Sequence, residues 1–282
     1  MKCQWQAFVD LLPTWLRVDV DKQGKGHLQE LRLRMGYPPI LVFQNHHIYL
    51  DRLITADDLD FCINIATKYS PWAAKTVAHG YITAPGGHRI GLGGKYISTD
   101  NQNIRIRTPT SLCIRVARDF PGIAEKTTTY LESILVIGKP GSGKTTLLRD
   151  MVRQRGMITG KNVVVVDERE EIFPLIENTP CFPTGINTDI ISGCAKYLGV
   201  EMAIRNMSPD TIALDEITAA EDCDALIYAG WCGVKLIATA HASNIQDLLR
   251  RPVYKPLVDS EIFQYVLVVE QDKLWHAERL SK

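Results

Sequence analysis

The residues Gly138-Lys139-Pro140-Gly141-Ser142-Gly143-Lys144-Thr145 match G-x-x-x-x-G-K-[ST] in full, a spacing that cradles phosphate. Glycines let the backbone bend round the anion, while successive amide N–H groups and the positive end of a following helix point at it. Lys144 is placed to reach the β- and γ-phosphates of a nucleoside triphosphate. Thr145 can offer its hydroxyl to a Mg²⁺ that bridges the same two groups and neutralises charge as the γ-phosphoryl leaves. The nucleotide-binding set is expected to extend through Thr146, where the helix begins.

Three other polar clusters end apolar runs. Thr211-Ile212-Ala213-Leu214 leads into Asp215-Glu216, where the first carboxylate would hold Mg²⁺ and the second would polarise water. Val163 to Val166 leads into Asp167-Glu168-Arg169-Glu170-Glu171, so Glu168 competes with Glu216 as general base. Lys235 to Thr239 leads into Ala240-His241-Ala242, which sets His241 near the γ-phosphate end, either reporting on phosphate or holding structure.

Elements that bring these residues together must form a sheet. Apolar runs at 133–137, 163–166, 211–214, 234–239 and 265–269, separated by helical or loop segments, predict an α/β domain with a mostly parallel sheet covered on both faces. Ligands of such sheets sit at the carboxyl ends of the strands. This domain is expected over 119–282, opening with a connector to about Tyr130.

Residues 1–118 predict a small α+β domain. One or two helices occupy 1–20, interrupted at Pro13, and strands follow at 28–35 and 40–43. A helix begins at Thr55-Ala56-Asp57-Asp58 and should end near Tyr69-Ser70-Pro71. Pro85-Gly86-Gly87 turns a hairpin that carries Arg89 at its rim. Ile104 to Val116 alternates in strand fashion with Arg105, Arg107 and Arg115 on one face, and Arg118 just beyond; a solvated sheet face and a γ-phosphate contact both fit.

The 282 residues carry 32 Lys+Arg against 32 Asp+Glu, so no overall basic field argues for nucleic-acid or direct membrane binding. Seven cysteines are scattered without a C-x-x-C pair, which disfavours a disulfide framework and a zinc site. No apolar run approaches the roughly 20 residues of a membrane span. A cytoplasmic protein is expected, recruited peripherally to a membrane only through a partner.

Taken in order, His79-Gly80-Tyr81-Ile82, Pro85-Gly86-Gly87-His88-Arg89, Ile114-Arg115-Val116-Ala117-Arg118, the glycine loop running into Thr146-Leu147-Leu148-Arg149-Asp150, Asp167-Glu168-Arg169-Glu170-Glu171-Ile172, Ala203-Ile204-Arg205-Asn206-Met207-Ser208-Pro209, Asp215-Glu216-Ile217 and Thr239-Ala240-His241 resemble the stage III sporulation protein AA family, relatives of the ring-forming type II and type IV secretion ATPases. The resemblance covers nearly the whole chain. It implies a RecA-like P-loop NTPase domain behind a small N-terminal domain, a hexameric ring, and a role powering a channel between mother cell and forespore with membrane-embedded channel proteins as partners. It also implies that Asp167-Glu168 form a catalytic acidic box and His241 a histidine box. Asn187 stands where the family leads one to expect arginine, and Thr218-Ala219 where a Gly-Arg pair is usual.

The leading expectation is therefore a Mg²⁺-dependent ATP hydrolase. The alternatives are a nucleotide-gated assembly scaffold with little turnover and, from the shared glycine loop, a kinase, for which no lid signature is present. Lys144 has no obvious companion cation in its own domain, so Arg89 or Arg115, ahead of Arg118, is expected to reach the nucleotide of a neighbouring subunit, with Arg205 as the rival.

Overall fold

The computed structural model describes residues 1–67, 80–99 and 103–280. They form two compact units, Met1–Asp119 with Leu175–Cys181, and Phe120–Pro174 with Phe182–Lys282. The short excursion Leu175–Cys181 therefore joins the first unit although it lies far along the chain.

The first unit is a six-stranded antiparallel sheet of β1 (Glu30–Arg34), β2 (Ile40–Val42), β3 (His47–Tyr49), β4 (Tyr81–Ala84), β5 (His88–Thr99) and β6 (Asn103–Arg115), in the order β3-β2-β1-β6-β5-β4. Helices Trp5–Asp10, Thr14–Gly24 and Ala56–Thr67 bury Phe8, Leu16 and Leu59 in one cluster with Leu31, Leu33, Ile90 and Ile114 of the sheet. Pro13 occupies the position just before the second helix, where a missing N–H costs nothing. Thr55 and Asp58 cap the third reciprocally, Thr55 N donating to Asp58 Oδ2 at 2.9 Å and Asp58 N to Thr55 Oγ1 at 3.3 Å. The helix end expected at Tyr69-Ser70-Pro71, and His79, lie outside the described residues.

His88 is the buried polar centre of this unit. Its Nδ1 accepts from Ala117 N at 3.0 Å, its Nε2 lies 3.1 Å from Gln4 O, and its ring meets Phe8 edge-on at 5.3 Å. Only the neutral ring with its proton on Nε2 satisfies both bonds. Burial accordingly lowers its pKa to about 4.

The excursion forms a minimal hairpin, β9 (Leu175–Ile176) paired with β10 (Thr179–Pro180). Its two turn residues Glu177 and Asn178 have φ of 50° and 62°, both left-handed as a tight hairpin turn of matching twist requires.

The second unit holds a seven-stranded sheet built from β7 (Ile134–Gly138), β8 (Val163–Asp167), β11 (Thr188–Ser192), β12 (Thr211–Leu214), β13 (Lys235–Ala240), β14 (Tyr265–Val269) and β15 (Trp275–Arg279). Its order is β11-β8-β12-β13-β7-β14-β15, with every pairing parallel except β14–β15. Every residue of β7, β8 and β12 is buried, as expected of strands covered on both faces. All five expected apolar runs are strands. The two edges, β11 and β15, are half-polar, and so carry no apolar run to mark them.

Helix Lys144–Gly156 follows the Gly138–Thr145 loop and, besides Lys144, buries four ionic side chains, Arg149, Asp150, Arg153 and Arg155. Asp150 accepts from Gly122 N and Ala124 N at 3.0 and 2.8 Å, and Arg155 donates to the carbonyls of Tyr130, Leu131 and Glu132. Arg149 donates to the carbonyls of Glu171 and Ile172, and Arg153 to that of Pro183. At the helix end, a Cβ on Gly185 would lie 2.4 Å from the backbone of Gly156, so only two glycines permit that approach. Among the described residues no helix is long and apolar enough to cross a membrane, and all seven cysteines are free.

Candidate active site

Strand β7 delivers the Gly138–Thr145 loop at the carboxyl edge of the sheet. Gly141 and Gly143 have φ of 75° and 103°, left-handed values that a side chain would strain. Gly138 tolerates no side chain at all, because a Cβ would sit 2.5 Å from Ser142 Oγ and 2.6 Å from Val269 O. Lys144, the first helical residue, turns its ammonium back over the loop to the carbonyls of Gly138 and Lys139 at 2.9 and 3.1 Å. Burial pushes its pKa below the usual value, with Asp215 and Glu216 pulling the other way.

Two neighbouring strands bring the remaining groups to this edge. Asp215, following β12, accepts from Thr145 Oγ1 at 2.8 Å and from Thr239 Oγ1 of β13 at 2.5 Å. Glu216 has a φ of 35°, an unfavourable turn for a residue with a side chain, costing roughly 1–2 kcal/mol. The turn is held by its N–H, which donates to Asp215 Oδ1 at 2.9 Å and Thr239 Oγ1 at 2.7 Å.

His241 links the lysine to the glutamate. Its Nδ1 lies 3.1 Å from Lys144 Nζ and its Nε2 2.8 Å from Glu216 Oε1. The backbone N–H of His241 donates to Tyr254 OH at 3.3 Å, and that hydroxyl donates to Ile217 O at 3.1 Å, which ties the loops after β12 and β13 together.

The acidic box divides into two roles. Asp167 is buried and accepts three backbone N–H groups, from Glu171, Ile172 and Phe173, at 2.8 to 2.9 Å. It shapes the loop after β8. Glu168 faces an opening that Asp167, Asp215 and Glu216 also line, and its Oε2 pairs with Lys196 Nζ at 2.6 Å.

Of the six candidate catalytic residues, Lys144, Glu216 and His241 form one bonded set, and Glu168 lines the same opening. Arg89 and Arg115 belong to the first unit, as cross-strand partners on β5 and β6. Arg89 stacks over the Tyr81 ring at 4.1 Å, and Arg115 lies 3.8 Å from Glu30. Arg118 donates to Leu28 O, also within the first unit. Arg205 pairs with Glu201 on the surface of helix Lys196–Asn206. Arg105 lies on β6, and its side chain is outside the described residues.

Sequence reasoning missed Thr239, Lys196 and Lys273. Thr239 is the one polar side chain of the buried part of β13, a signal open to reading. Lys196 follows no apolar run, and Lys273 sits in a turn 132 positions from the loop carbonyl it touches, Gly141 O at 3.2 Å. Lys273 reaches the loop within the same unit, and Lys196 lines the neighbouring opening. At the two positions where arginine was expected, Asn187 Nδ2 donates to Ile158 O at 2.9 Å, and the amides of Thr218 and Ala219 donate to Asp222 at 3.1 and 3.2 Å.

The donor set suits Mg²⁺. Among the described residues no group of three or more His, Cys, Asp or Glu is placed to hold a metal. The Thr145 hydroxyl and Asp215 carboxylate supply one or two hard oxygens, which fits an ion that draws its remaining ligands from water and phosphate.

A family model described as "Sporulation stage III, protein AA" matches residues 8–276. The stage III sporulation protein AA of Bacillus subtilis is 36% identical over 268 residues, covering 90% of this chain and 86% of that one. The uncharacterized protein ycf45 of Porphyra purpurea is 25% identical over 95% of this chain and 45% of its own. Among solved structures, the Legionella pneumophila ATPase DotB aligns over 95% of this chain and 80% of its own with a TM-score of 0.57 at 18% identity. The pilus retraction motor PilT with bound ADP aligns over 90% and 76%, with a TM-score of 0.62 at 13% identity. The fold is that of the RecA-like secretion ATPases.

Proposed function

The chain belongs to the sporulation stage III protein AA family, and from that premise we propose that it is a Mg²⁺-dependent ATP hydrolase. The observation that carries this reading is the convergence of Thr145, Asp215, Glu216, His241 and Lys144 on one sheet edge, each held by hydrogen bonds to the next. The loop amides and Lys144 bind the phosphates. Thr145 and Asp215 hold Mg²⁺, which when bound spreads the negative charge of the transferring phosphoryl group.

Glu216 takes the proton of the attacking water. It is the better base of the two candidates because Glu168 is committed to the buried ammonium of Lys196, whereas Glu216 meets the imidazole of His241.

The wider role we propose is a hexameric ring in the cytoplasm, recruited peripherally to membrane-embedded channel proteins of the sporulation apparatus, where hydrolysis powers channel assembly or transport between mother cell and forespore. Phosphate release by the purified chain tests the chemistry. It should be abolished in Lys144→Ala and in Glu216→Gln; unchanged release in both variants would overturn the assignment.

One observation favours a second reading, a nucleotide-gated scaffold with little turnover. The positions of Asn187 and Thr218-Ala219 serve local backbone bonds instead of supplying cations. Tight ATP binding without steady-state release in the assembled state would select it.

A further inference from the structure

We propose that Lys273 is a second phosphate-binding cation of this site, supplied in cis by the β14–β15 turn and directed to the nucleotide's phosphate tail from the flank opposite Asp215 and Glu216. The inference rests on the nucleotide-binding reading of the Gly138–Thr145 loop and adds a residue to it.

The sheet order decides the flank. Strand β7, which delivers the loop, lies between β13 on one side and β14 on the other. Asp215 and His241 follow β12 and β13, so the hydrolytic groups approach from that side. On the other side Val269 is in register with Gly138, and its carbonyl comes so near that a Cβ on Gly138 would lie 2.6 Å from it. The turn that starts at the next residue is therefore set directly against the loop.

That turn is built to present its lysine. Glu270 N donates to Leu274 O at 2.8 Å, Lys273 N to Glu270 O at 3.1 Å, and Leu274 N to Asp272 Oδ1 at 3.0 Å. Lys273 takes a φ of 71°, a left-handed conformation that Gly or Asn adopts with less strain. From there its Nζ donates to Gly141 O at 3.2 Å and would lie 4.0 Å from a Cβ on Gly143. The ammonium thus stands beside the two left-handed glycines that turn the loop's amides inward. A carbonyl is a neutral acceptor; a phosphate oxygen is a charged one and makes the stronger bond to an ammonium. A bound phosphate tail therefore draws Lys273 from Gly141 O by a side-chain rotation alone.

Calorimetric titration with ADP, which has the phosphate tail but no γ-phosphate to hydrolyse, tests this at two salt concentrations. Lys273→Asn suits the left-handed turn and removes the ammonium together with its stem. It should weaken ADP binding about tenfold and flatten the salt dependence, as loss of one charge-assisted bond requires; binding of adenosine should not change. Lys273→Arg should restore ADP affinity to within about threefold. If Lys273→Asn binds ADP with the wild-type affinity and salt slope while Lys144→Ala loses binding, Lys273 has no such role and the site reading stands. A wild-type chain that does not bind ADP overturns the site reading itself, and this inference with it.

Discussion

The Lys144 ammonium donates to His241 Nδ1 across 3.1 Å, and because an ammonium has no lone pair to offer, that contact fixes the imidazole proton on Nε2, facing Glu216 at 2.8 Å. One histidine thereby joins the phosphate-reaching lysine to the candidate base. His241→Ala should leave ATP binding within a few-fold of wild type while lowering phosphate release about 10²-fold, the scale of a misplaced general base. His241→Gln keeps an acceptor for Lys144 and a donor for Glu216, and should recover part of the rate. Equal loss of binding and turnover in both variants would mean that His241 supports the loop rather than the base.

Glu168 and Glu216 should separate by experiment. Glu216→Gln is expected to cost at least about 10²-fold in phosphate release with nucleotide binding retained. Glu168→Gln is expected to cost less than about tenfold, since Asp215, Thr239 and His241 all organise Glu216 instead. The reverse ranking in a steady-state phosphate assay would transfer the base role to Glu168.

Glu168→Gln has a second expected consequence, in stability. It leaves the Lys196 ammonium, whose side chain is 7% exposed, without its anion, and should cost about 1–3 kcal/mol, less than a fully buried pair because Glu168 itself is partly solvated. The double variant Lys196→Met/Glu168→Gln should regain most of that loss. Urea unfolding of the two single variants and the double variant measures the coupling; additive losses would show that the pair contributes nothing.

His88 predicts the acid limit of the first unit. Its folded pKa of about 4 lies below the ordinary 6.5, so the unfolded chain binds the proton more readily. The stability it contributes is intact above pH 6.5 and is lost as pH falls toward 4, by about 3 kcal/mol in all. His88→Gln should be less stable at pH 7 yet lose less between pH 7 and pH 4. Parallel stability–pH curves for the two proteins would rule His88 out as the responsible group.

The arginine supplied between subunits is tested by mixing. Lys144→Ala chains combined with Arg89→Ala or Arg115→Ala chains should regain activity that neither has alone, given that such an arginine contributes about 10³–10⁵ in turnover where it acts. If neither mixture regains activity, and wild-type specific activity is independent of protein concentration, the shared site is wrong.

Much of the second unit was legible because its central strands are covered on both faces. Val163 to Val166 and Ile134 to Ile137 must be apolar throughout, and the polar residue that ends each run lands at the site edge. The edges of the sheet were not legible, since Trp275–Arg279 pairs on one side only and tolerates His276 and Glu278 facing solvent. Lys196 and Lys273 escaped for another reason. Their meaning lies in contacts with Glu168 and Gly141, 28 and 132 positions away, and no local periodicity encodes such distances. Asp167 and Glu168, adjacent in sequence, look alike there; burial and partners separate them, Asp167 holding three backbone amides and Glu168 pairing with Lys196.

The helix Lys144–Gly156 has 13 residues and is therefore a rod of about 20 Å. Its far end is locked where the Gly156 and Gly185 backbones touch, and Arg149, Asp150, Arg153 and Arg155 grip four other stretches of chain along its length. A rod seated so firmly transmits load instead of bending under it. At its far end the Gly156 carbonyl accepts from Asn187 N at 2.9 Å immediately before edge strand β11. The seating also makes this helix intolerant of a change in length. One inserted residue would turn its far end by about 100° and pull every downstream grip out of phase, whereas a surface loop of the same unit would absorb the same insertion unnoticed.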